Sequence, residues 1–248
     1  MQYFGFDRPS FGIKTFGFGS SEFSPLDLFA GGKQGVWYDP SDKSTLFQDV
    51  AGTVPVTKDG DPVALMRDKS GNGNHATQTL SAARPTYQTD GILYWLNFDG
   101  VDDELLISVT LKNNNSISAS LRTDRPINSL MFGGSNGSAK MGVFRDSAFF
   151  RLVPNGDEVT IPYVAASKHI ITGFRDNGYT AGRLNGVESK ATAPNATAQT
   201  TWVTLGSANF TGQYFSGSIY GAILLDDYSV DKLLKIENYL STKCGGIA

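Results

Sequence analysis

Apolar and polar residues alternate along much of the second half of the chain. From Leu105 to Leu111 every second residue is apolar, and Ile117, Ala119 and Leu121 repeat the pattern. Antiparallel strands alternate in this way when one face is buried and the other faces solvent. Asn-Gly pairs at 177–178 and 185–186 predict tight hairpin turns, so the pattern indicates an all-β sandwich. Further strands are predicted at 141–144, 148–153, 169–174, 179–184, 201–205 and 214–225.

One amphipathic helix is predicted close to the C-terminus. Ser229 suits the N-cap position, and Asp231 lies in the first turn, where the helix dipole stabilises a carboxylate. Gly245 or Gly246 ends the predicted helix. The apolar residues that form a single stripe along it are Leu233, Leu234, Ile236, Tyr239 and Leu240.

Residues 1–34 differ from the rest of the chain. Phenylalanine and glycine are mixed there without a helical or a strand period, so the segment cannot bury its own rings. We interpret it as an extended anchoring arm that becomes ordered on a partner, with a short helix or turn at 24–30, and we assign residues 35–248 to one sandwich domain. The alternative is an edge strand of the same sandwich. The predicted anchors are Phe4, Phe6, Phe11, Phe16 and Phe18.

Composition supports a globular protein and narrows the classes of function. Hydrophobic residues make up 40% of the 248 residues and charged residues 18%, which is ordinary for a globular chain. The formal net charge of -3 offers no basic surface for a phosphate backbone, so we expect no nucleic-acid partner. The single cysteine, Cys244, excludes an intrachain disulfide. No apolar run has the length of a transmembrane helix and the N-terminus does not resemble a signal peptide, so we expect no membrane insertion.

Four short motifs give a more specific indication. They are GVWYDPSD at 35–42, DKSGNGNHA at 68–76, RP at 84–85 and NFDGVDD at 97–103. In this order they resemble the start of the concanavalin A-like, laminin-G-like jelly-roll modules found in many bacteriophage virion proteins. Residues 214–245 resemble the closing strand and terminal helix of the same modules. The resemblance therefore implies a jelly-roll β-sandwich with one short C-terminal helix.

The same resemblance implies a function. It indicates a non-enzymatic structural protein of a tailed-phage virion, displayed on the particle as a homo-oligomer and anchored to other virion proteins through its N-terminal arm. In one alternative the sandwich also binds host cell-surface glycan. In the other it is a capsid decoration or tail scaffold protein that contacts only neighbouring virion subunits. Both alternatives predict a virion location.

The loop at 68–76 spaces its oxygen ligands like the first half of an EF-hand, although position twelve is Thr79 rather than glutamate. Calcium is one hypothesis here, because the resembling fold often carries it, and no other cofactor is expected. The alternative is a purely structural loop, since Asp and Asn build Asx turns unaided. The calcium hypothesis uses Asp68, Ser70 and Asn72, or else Asp99, Asp102 and Asp103.

A glycan site requires aromatic faces and convergent polar groups, which a sandwich presents most readily at its loop tips. Charged, amide and aromatic residues cluster near two of the predicted turns. The resulting candidates for glycan contact are Arg145, Arg175, Asp176, Asn177 and Tyr179.

Hydrolytic activity is not expected from the sequence. Concanavalin A-like sandwiches that cleave glycosides typically carry a Glu-x-Asp-x-Glu strand, which places alternate carboxylates on one face, and no such string occurs here. Gly133-x-Ser135-x-Gly137 matches a nucleophile elbow. However, the residues that follow predict a strand instead of the helix that a nucleophile elbow needs.

Overall fold

Two antiparallel sheets pack face to face, with one α-helix on the outside of the first. The computed structural model describes residues 23–112, 114–124, 129–134, 140–143, 149–153, 159–162, 166–176, 179–190, 200–207 and 212–247. The jelly-roll β-sandwich and the short C-terminal helix predicted from the sequence are confirmed.

The elements follow one another along the chain with these bounds: β1 Gly35–Tyr38, β2 Leu46–Phe47, β3 Leu65–Met66, β4 Ala76–Thr77, β5 Thr86–Thr89, β6 Tyr94–Asp99, β7 Leu105–Leu111, β8 Asn115–Thr123, β9 Ser129–Gly134, β10 Lys140–Val143, β11 Phe149–Val153, β12 Val159–Pro162, β13 Lys168–Asp176, β14 Tyr179–Leu184, β15 Val187–Lys190, β16 Thr200–Leu205, β17 Ser216–Leu225 and α1 Val230–Lys243. Sheet I has the order β15-β14-β13-β8-β17-β6-β5. On the side of β17 where β6 pairs with residues 216–219, β1 pairs with residues 222–225. Sheet II has the order β12-β11-β10-β9-β16-β7-β4-β3-β2.

The hydrophobic core lies between the sheets and follows the alternation of the strands. The apolar residues of β7 are buried and those between them are exposed, as predicted. Ile117, Ala119 and Leu121 of β8 face the same core. Trp202 and Phe132 meet edge to face within it, with ring centroids 6.2 Å apart. Each such large apolar side chain contributes about 1.5–3 kcal/mol by leaving water.

The strands predicted in the second half of the chain agree with the structure within one or two residues at their ends. The turn at 185–186 is confirmed, because Asn185 and Gly186 have φ values of 50° and 82°. Asp176 pairs with Tyr179 across the other predicted hairpin, whose two turn residues lie outside the described residues. The sequence pattern did not predict β1, β2, β4, β5, β6, β9, β12 or β15. Six of these strands have only two to four residues, too few to display a period, whereas β6 and β9 have six residues each and were missed.

Helix α1 packs on the outer face of sheet I. Its N-cap is Ser229, as predicted, and the Ser229 hydroxyl accepts a hydrogen bond of 3.3 Å from the Lys232 amide. The predicted apolar stripe is one residue too wide, because Leu234 is 44% exposed. After Lys243 the helix cannot continue, since Gly245 and Gly246 have φ values of 94° and 82°.

Small residues bring α1 close to the sheet. Since Ile117, Ala119 and Leu121 point into the core, the intervening residues of β8 point toward the helix. Both of these intervening residues, Ser118 and Ser120, are buried serines, as is Ser116 before them, and Ser118 is 3.0 Å from the Thr172 hydroxyl. The residues of α1 that close over this surface are Leu233, Ile236, Leu240 and, just beyond the helix, Cys244.

Residues 23–34 lie against the same outer face. Pro25–Phe29 forms a short 3-10 helix capped by Ser24, in agreement with the predicted helix or turn. Leu28 and Phe29 are buried in the cluster beneath α1. The five phenylalanines predicted as anchors lie outside the described residues, and the division of the chain at residue 34 stays a prediction.

Candidate functional site

A groove opens on the outer face of sheet I, beside the C-terminal end of α1. Its volume is about 360 Å³, within the range of about 300–1,000 Å³ that is typical of small-molecule sites. Five neighbouring strands form its floor, so the groove is built on the rigid part of the fold. We call it the Trp95 groove, and its lining residues are Gln88, Asp90, Trp95, Asn97, Arg122, Lys168, Ser218 and Tyr220.

Strand β6 supplies the groove with its aromatic centre. Leu96 and Phe98 are buried in the core, so Trp95 and Asn97 point to the opposite face. The ring of Trp95 lies 5.6 Å from that of Tyr220, and their planes are inclined by 48°. Trp95 is only partly buried, so the pair offers a ligand a tilted aromatic surface.

The register of the sheet aligns four polar residues in a row across the groove. Asn97 pairs with Ser218, Ser218 with Arg122, and Arg122 with Lys168. Neighbouring strands lie about 4.8 Å apart, so the row extends over three strand spacings. It places an amide, a hydroxyl and two cations along one line beside the aromatic pair.

Two cations flank Tyr220. The Lys168 Nζ is 5.4 Å from the centroid of the Tyr220 ring, a cation–π distance. Burial raises the pKa of Tyr220, while the nearby charge of Arg122 and a hydrogen bond with Ser218 act in the opposite direction. The Tyr220 hydroxyl therefore stays protonated at neutral pH.

The loop at 68–76 is organised around the carboxylate of Asp68. This carboxylate accepts four hydrogen bonds: from the Trp37 amide (2.9 Å), the Ser70 amide (2.9 Å), the Ser70 hydroxyl (2.7 Å) and the Asn74 amide (3.1 Å). The Asn72 side-chain nitrogen donates to the carbonyls of Lys33 and Gly35. These bonds fit the structural-loop interpretation, because a calcium ion at Asp68 would have to displace donors that fix the loop to β1.

A second set of contacts joins the WYDP motif to helix α1. The Asp39 Oδ2 accepts hydrogen bonds from Lys69 (3.2 Å), Tyr239 (3.0 Å) and Lys243 (3.1 Å). Burial alone would raise the pKa of Asp39, but hydrogen bonding from Ser41 and the charges of Lys243 and Lys69 outweigh it and hold the pKa below its usual value. The network is structural, since Asp39 is 3% exposed.

Three carboxylates of the NFDGVDD motif lie together at the end of β6. One carboxylate oxygen from each of Asp99, Asp102 and Asp103 lies within 4.8 Å of the other two. Burial raises the pKa of Asp103 to about 6, and the negative charges of Asp99 and Asp102 act in the same direction. The hydrogen bond from the Asp99 amide lowers the pKa, but by less. In the part of the chain that the structure describes, these three carboxylates offer the oxygen ligands that a divalent cation such as calcium would need. Calcium binding stays a prediction.

Of the predicted glycan contacts, Arg175 is the one whose side chain the structure describes, and it does not line the Trp95 groove. Arg175 was expected at a loop tip, but it lies in β13, on the same face of the strand as the core residue Ile171, and is 5% exposed. Arg145 and Asn177 lie outside the described residues, as do the side chains of Asp176 and Tyr179.

Sequence reasoning missed the groove residues. The alternation in Tyr94–Asp99 was the one available signal, because it separates Leu96 and Phe98 from an outward-facing tryptophan and asparagine. The NFDGVDD motif starts at Asn97 and therefore does not include Trp95. No helix in the described part of the chain combines the length and apolar character needed to span a membrane.

The fold is similar to that of domains in several carbohydrate-active proteins. No family model and no curated protein matches the chain. Domain 4 of AbnA, a GH43 extracellular arabinanase from Geobacillus stearothermophilus solved with arabinotriose, superposes with a TM-score of 0.56 at 13% identity over 83% of this chain and 98% of that domain. A GH54 α-L-arabinofuranosidase gives a TM-score of 0.62 at 12% identity, over 88% of this chain and 65% of the other.

A third similar structure is the Trypanosoma rangeli sialidase in complex with sialic acid. Its TM-score is 0.53 at 9% identity, with 88% of this chain and 34% of that chain covered. This chain thus spans about two thirds of the arabinofuranosidase and about a third of the sialidase. At these identities the comparisons establish the shared β-sandwich fold.

Proposed function

We propose that this protein is a carbohydrate-binding β-sandwich that recognises glycan in the Trp95 groove without cleaving it. The observation that carries the proposal is the tilted pair of Trp95 and Tyr220 beside the polar row of Asn97, Ser218 and Arg122. The similarity of the fold to an arabinanase domain solved with arabinotriose supports the same ligand class.

The groove has the two kinds of surface that a sugar ring requires. A pyranose or furanose presents C–H groups on its faces, which pack against aromatic rings, and hydroxyl groups at its edge, which need hydrogen-bond partners. Trp95 and Tyr220 offer the first surface. The amide of Asn97 and the hydroxyl of Ser218 offer the second, on adjacent strands.

Binding without hydrolysis follows from the charges in the groove. Glycoside hydrolysis ordinarily uses two carboxyl groups on either side of the scissile bond. Among the described residues that line the groove only Asp90 carries a carboxylate. The Asp90 Oδ1 accepts hydrogen bonds from the amides of Ile92 (2.9 Å) and Leu93 (2.7 Å), which keep it in its own turn.

A glycan array followed by calorimetry tests the proposal. We expect the wild-type chain to bind a defined set of oligosaccharides and Trp95→Ala to weaken that binding by about thirtyfold, the loss typical of a central aromatic anchor. Phe47→Ala, which truncates a partly buried aromatic residue of sheet II, is the control and should bind like wild type. Absence of binding to every glycan, or unchanged binding by a folded Trp95→Ala variant, contradicts the proposal.

We further propose that the sandwich is displayed on a tailed-phage virion as a homo-oligomer and anchored by its N-terminal arm. The four motifs at 35–103 and the C-terminal segment that resemble phage virion modules support this location. Particles assembled with a chain that lacks residues 1–22 should lack the protein, whereas Trp95→Ala should be incorporated normally. Incorporation of the truncated chain at the wild-type level would exclude anchoring by the arm.

If the alternative of a decoration or scaffold protein is correct, the groove has no part in the function. Particles that carry Trp95→Ala would then adsorb to host cells like wild type. Under the glycan-binding proposal their adsorption falls in parallel with the affinity for glycan. The adsorption assay therefore separates the two alternatives.

A further inference from the structure

We propose that the Trp95 groove selects anionic sugars, in which a pyranose ring carries a carboxylate, over neutral sugars. This inference rests on the carbohydrate-binding function proposed above and adds the charge of the ligand. Its basis is a pair of cations on adjacent strands beside the aromatic centre of the groove.

Lys168 supplies one of these cations. Its ammonium group lies over the Tyr220 ring, at the floor of the groove. No carboxylate oxygen of the described residues lies within 4.0 Å of its Nζ. On its other side is the turn after α1, where a Cβ added to Gly245 would lie 3.7 Å from the same nitrogen. Among the described residues, the charge therefore lies beside the aromatic pair without a counter-ion in contact.

Arg122 supplies the second cation, directly opposite Lys168 on the neighbouring strand. Like charges at directly opposed positions of adjacent strands destabilise a sheet, unless an anion lies between them. The Arg122 Nη2 contacts the Asp124 Oδ1 at 2.7 Å, but both side chains are about 40% exposed, so water screens that pair. The Arg122 Nε is buried and has no hydrogen-bond acceptor among the described residues. A bound carboxylate would compensate both cations.

Asp90 is the negative group that opposes this preference. The hydrogen bonds from the amides of Leu93 and Ile92 lower the pKa of Asp90, and the charge of Lys168 contributes further, so Asp90 is ionised at neutral pH. The lining nevertheless has two cations against one carboxylate, in a chain whose net charge is -3. The excess of positive charge is thus local to the groove.

Matched ligands that differ in charge test the inference. Trigalacturonic acid is compared with its methyl ester and 3′-sialyllactose with its methyl ester, so each pair shares one backbone, and the two pairs separate a uronic acid from a sialic acid as the source of the carboxylate. By calorimetry at low salt we expect at least one acid to bind about tenfold more tightly than its neutral partner, the effect of one charged hydrogen bond. The difference should shrink in high salt.

Variants assign the preference to the two cations. Lys168→Gln should remove most of the difference in affinity between acid and ester. Arg122→Gln should reduce the same ratio, and Lys43→Gln, which removes an exposed lysine from the turn before β2, should leave it unchanged. The unfolding midpoint of each variant establishes that it is folded.

The outcomes distinguish the two proposals. Equal affinity for acid and neutral partner, or an unchanged ratio in a folded Lys168→Gln variant, overturns the selectivity for anionic sugars but leaves carbohydrate binding intact. Binding to neutral glycans alone on the array has the same consequence. Failure to bind any glycan overturns both.

Discussion

The Nζ of Lys243 lies 3.1 Å from the Oδ2 of Asp39, although the two residues are 204 positions apart in the chain. Asp39 follows β1, and Lys243 is the last residue of α1. The same carboxylate oxygen accepts a hydrogen bond from Tyr239, whose hydroxyl in turn accepts one of 3.1 Å from the Trp37 indole. The two sequence segments that resemble phage virion modules therefore meet at one buried carboxylate.

Replacing Asp39 should destabilise the fold substantially. Asp39→Asn leaves the ammonium groups of Lys69 and Lys243 without their shared partner, and we expect the free energy of unfolding to fall by about 2–3 kcal/mol. Urea denaturation monitored by tryptophan fluorescence measures the loss. Asp124→Asn, which breaks an exposed pair, should cost less than about 1 kcal/mol. Equal losses in the two variants would show that the Asp39 network contributes no more than a surface ion pair.

Asp103 should make the protein less stable as the pH rises from about 4 to about 6. Its pKa in the folded state is about 6, above the usual 3.8, so the folded state retains a proton that the unfolded state has lost in this interval. Asp103→Asn should abolish that decline and raise the free energy of unfolding at pH 7 by about 1–2 kcal/mol. Urea midpoints measured at several pH values test this. A variant with the same pH profile as wild type would exclude Asp103 as the cause.

Asp68 should stabilise the fold whether or not calcium is present. Asp68→Ala removes the acceptor of four hydrogen bonds, including the one from Trp37 in β1, and we expect a loss of about 3 kcal/mol. The loss should be the same in calcium and in a chelator. If calcium raises the unfolding midpoint of wild type but not of Asp68→Ala, the loop binds calcium and the structural interpretation is wrong.

Two truncations should differ sharply in stability. Deleting residues 1–22 leaves Leu28 and Phe29 in place under α1, whereas deleting residues 1–34 removes both from the cluster. Each buried side chain contributes about 1.5–3 kcal/mol, so the longer deletion should lower the free energy of unfolding by about 3–5 kcal/mol relative to the shorter one. Phe29→Ala in the full chain provides a matched control, with a loss of about 3 kcal/mol. Equal midpoints for both truncations would place the boundary of the folded domain at residue 34.

The sandwich could be predicted from the sequence because burial of one face of a strand produces an alternation of apolar and polar residues along the chain. Alternation in β7 and β8 and the hairpin at 185–186 each concern residues that are close together in the chain, so a single sequence is enough to detect them. The predicted apolar stripe of α1 was correct except for Leu234, which is exposed. Its exposure depends on how the helix is rotated against the sheet, which the sequence does not specify.

The groove could not be predicted in the same way. Asn97, Ser218 and Arg122 become neighbours only through the register of β6, β17 and β8, which pairing and core packing determine together. The prediction of Arg175 as a glycan contact was wrong in its placement for a related reason. β13 continues to Asp176, past residue 174 where the sequence pattern ended the strand, so Arg175 is buried within the sheet instead of lying in an exposed turn.

The end of helix α1 determines how much of sheet I is open to a ligand. One further turn would add about 5.4 Å of helix at a point where a Cβ on Gly245 would already lie 3.4 Å from Leu93 and 3.7 Å from the Lys168 Nζ. The two glycines that follow Cys244 therefore limit how far α1 covers sheet I beside the Trp95 groove, although neither lines the groove. Under the proposed carbohydrate-binding function, a shorter or longer C-terminal helix on the same sandwich would leave room for a longer or shorter oligosaccharide without any change in the sheet.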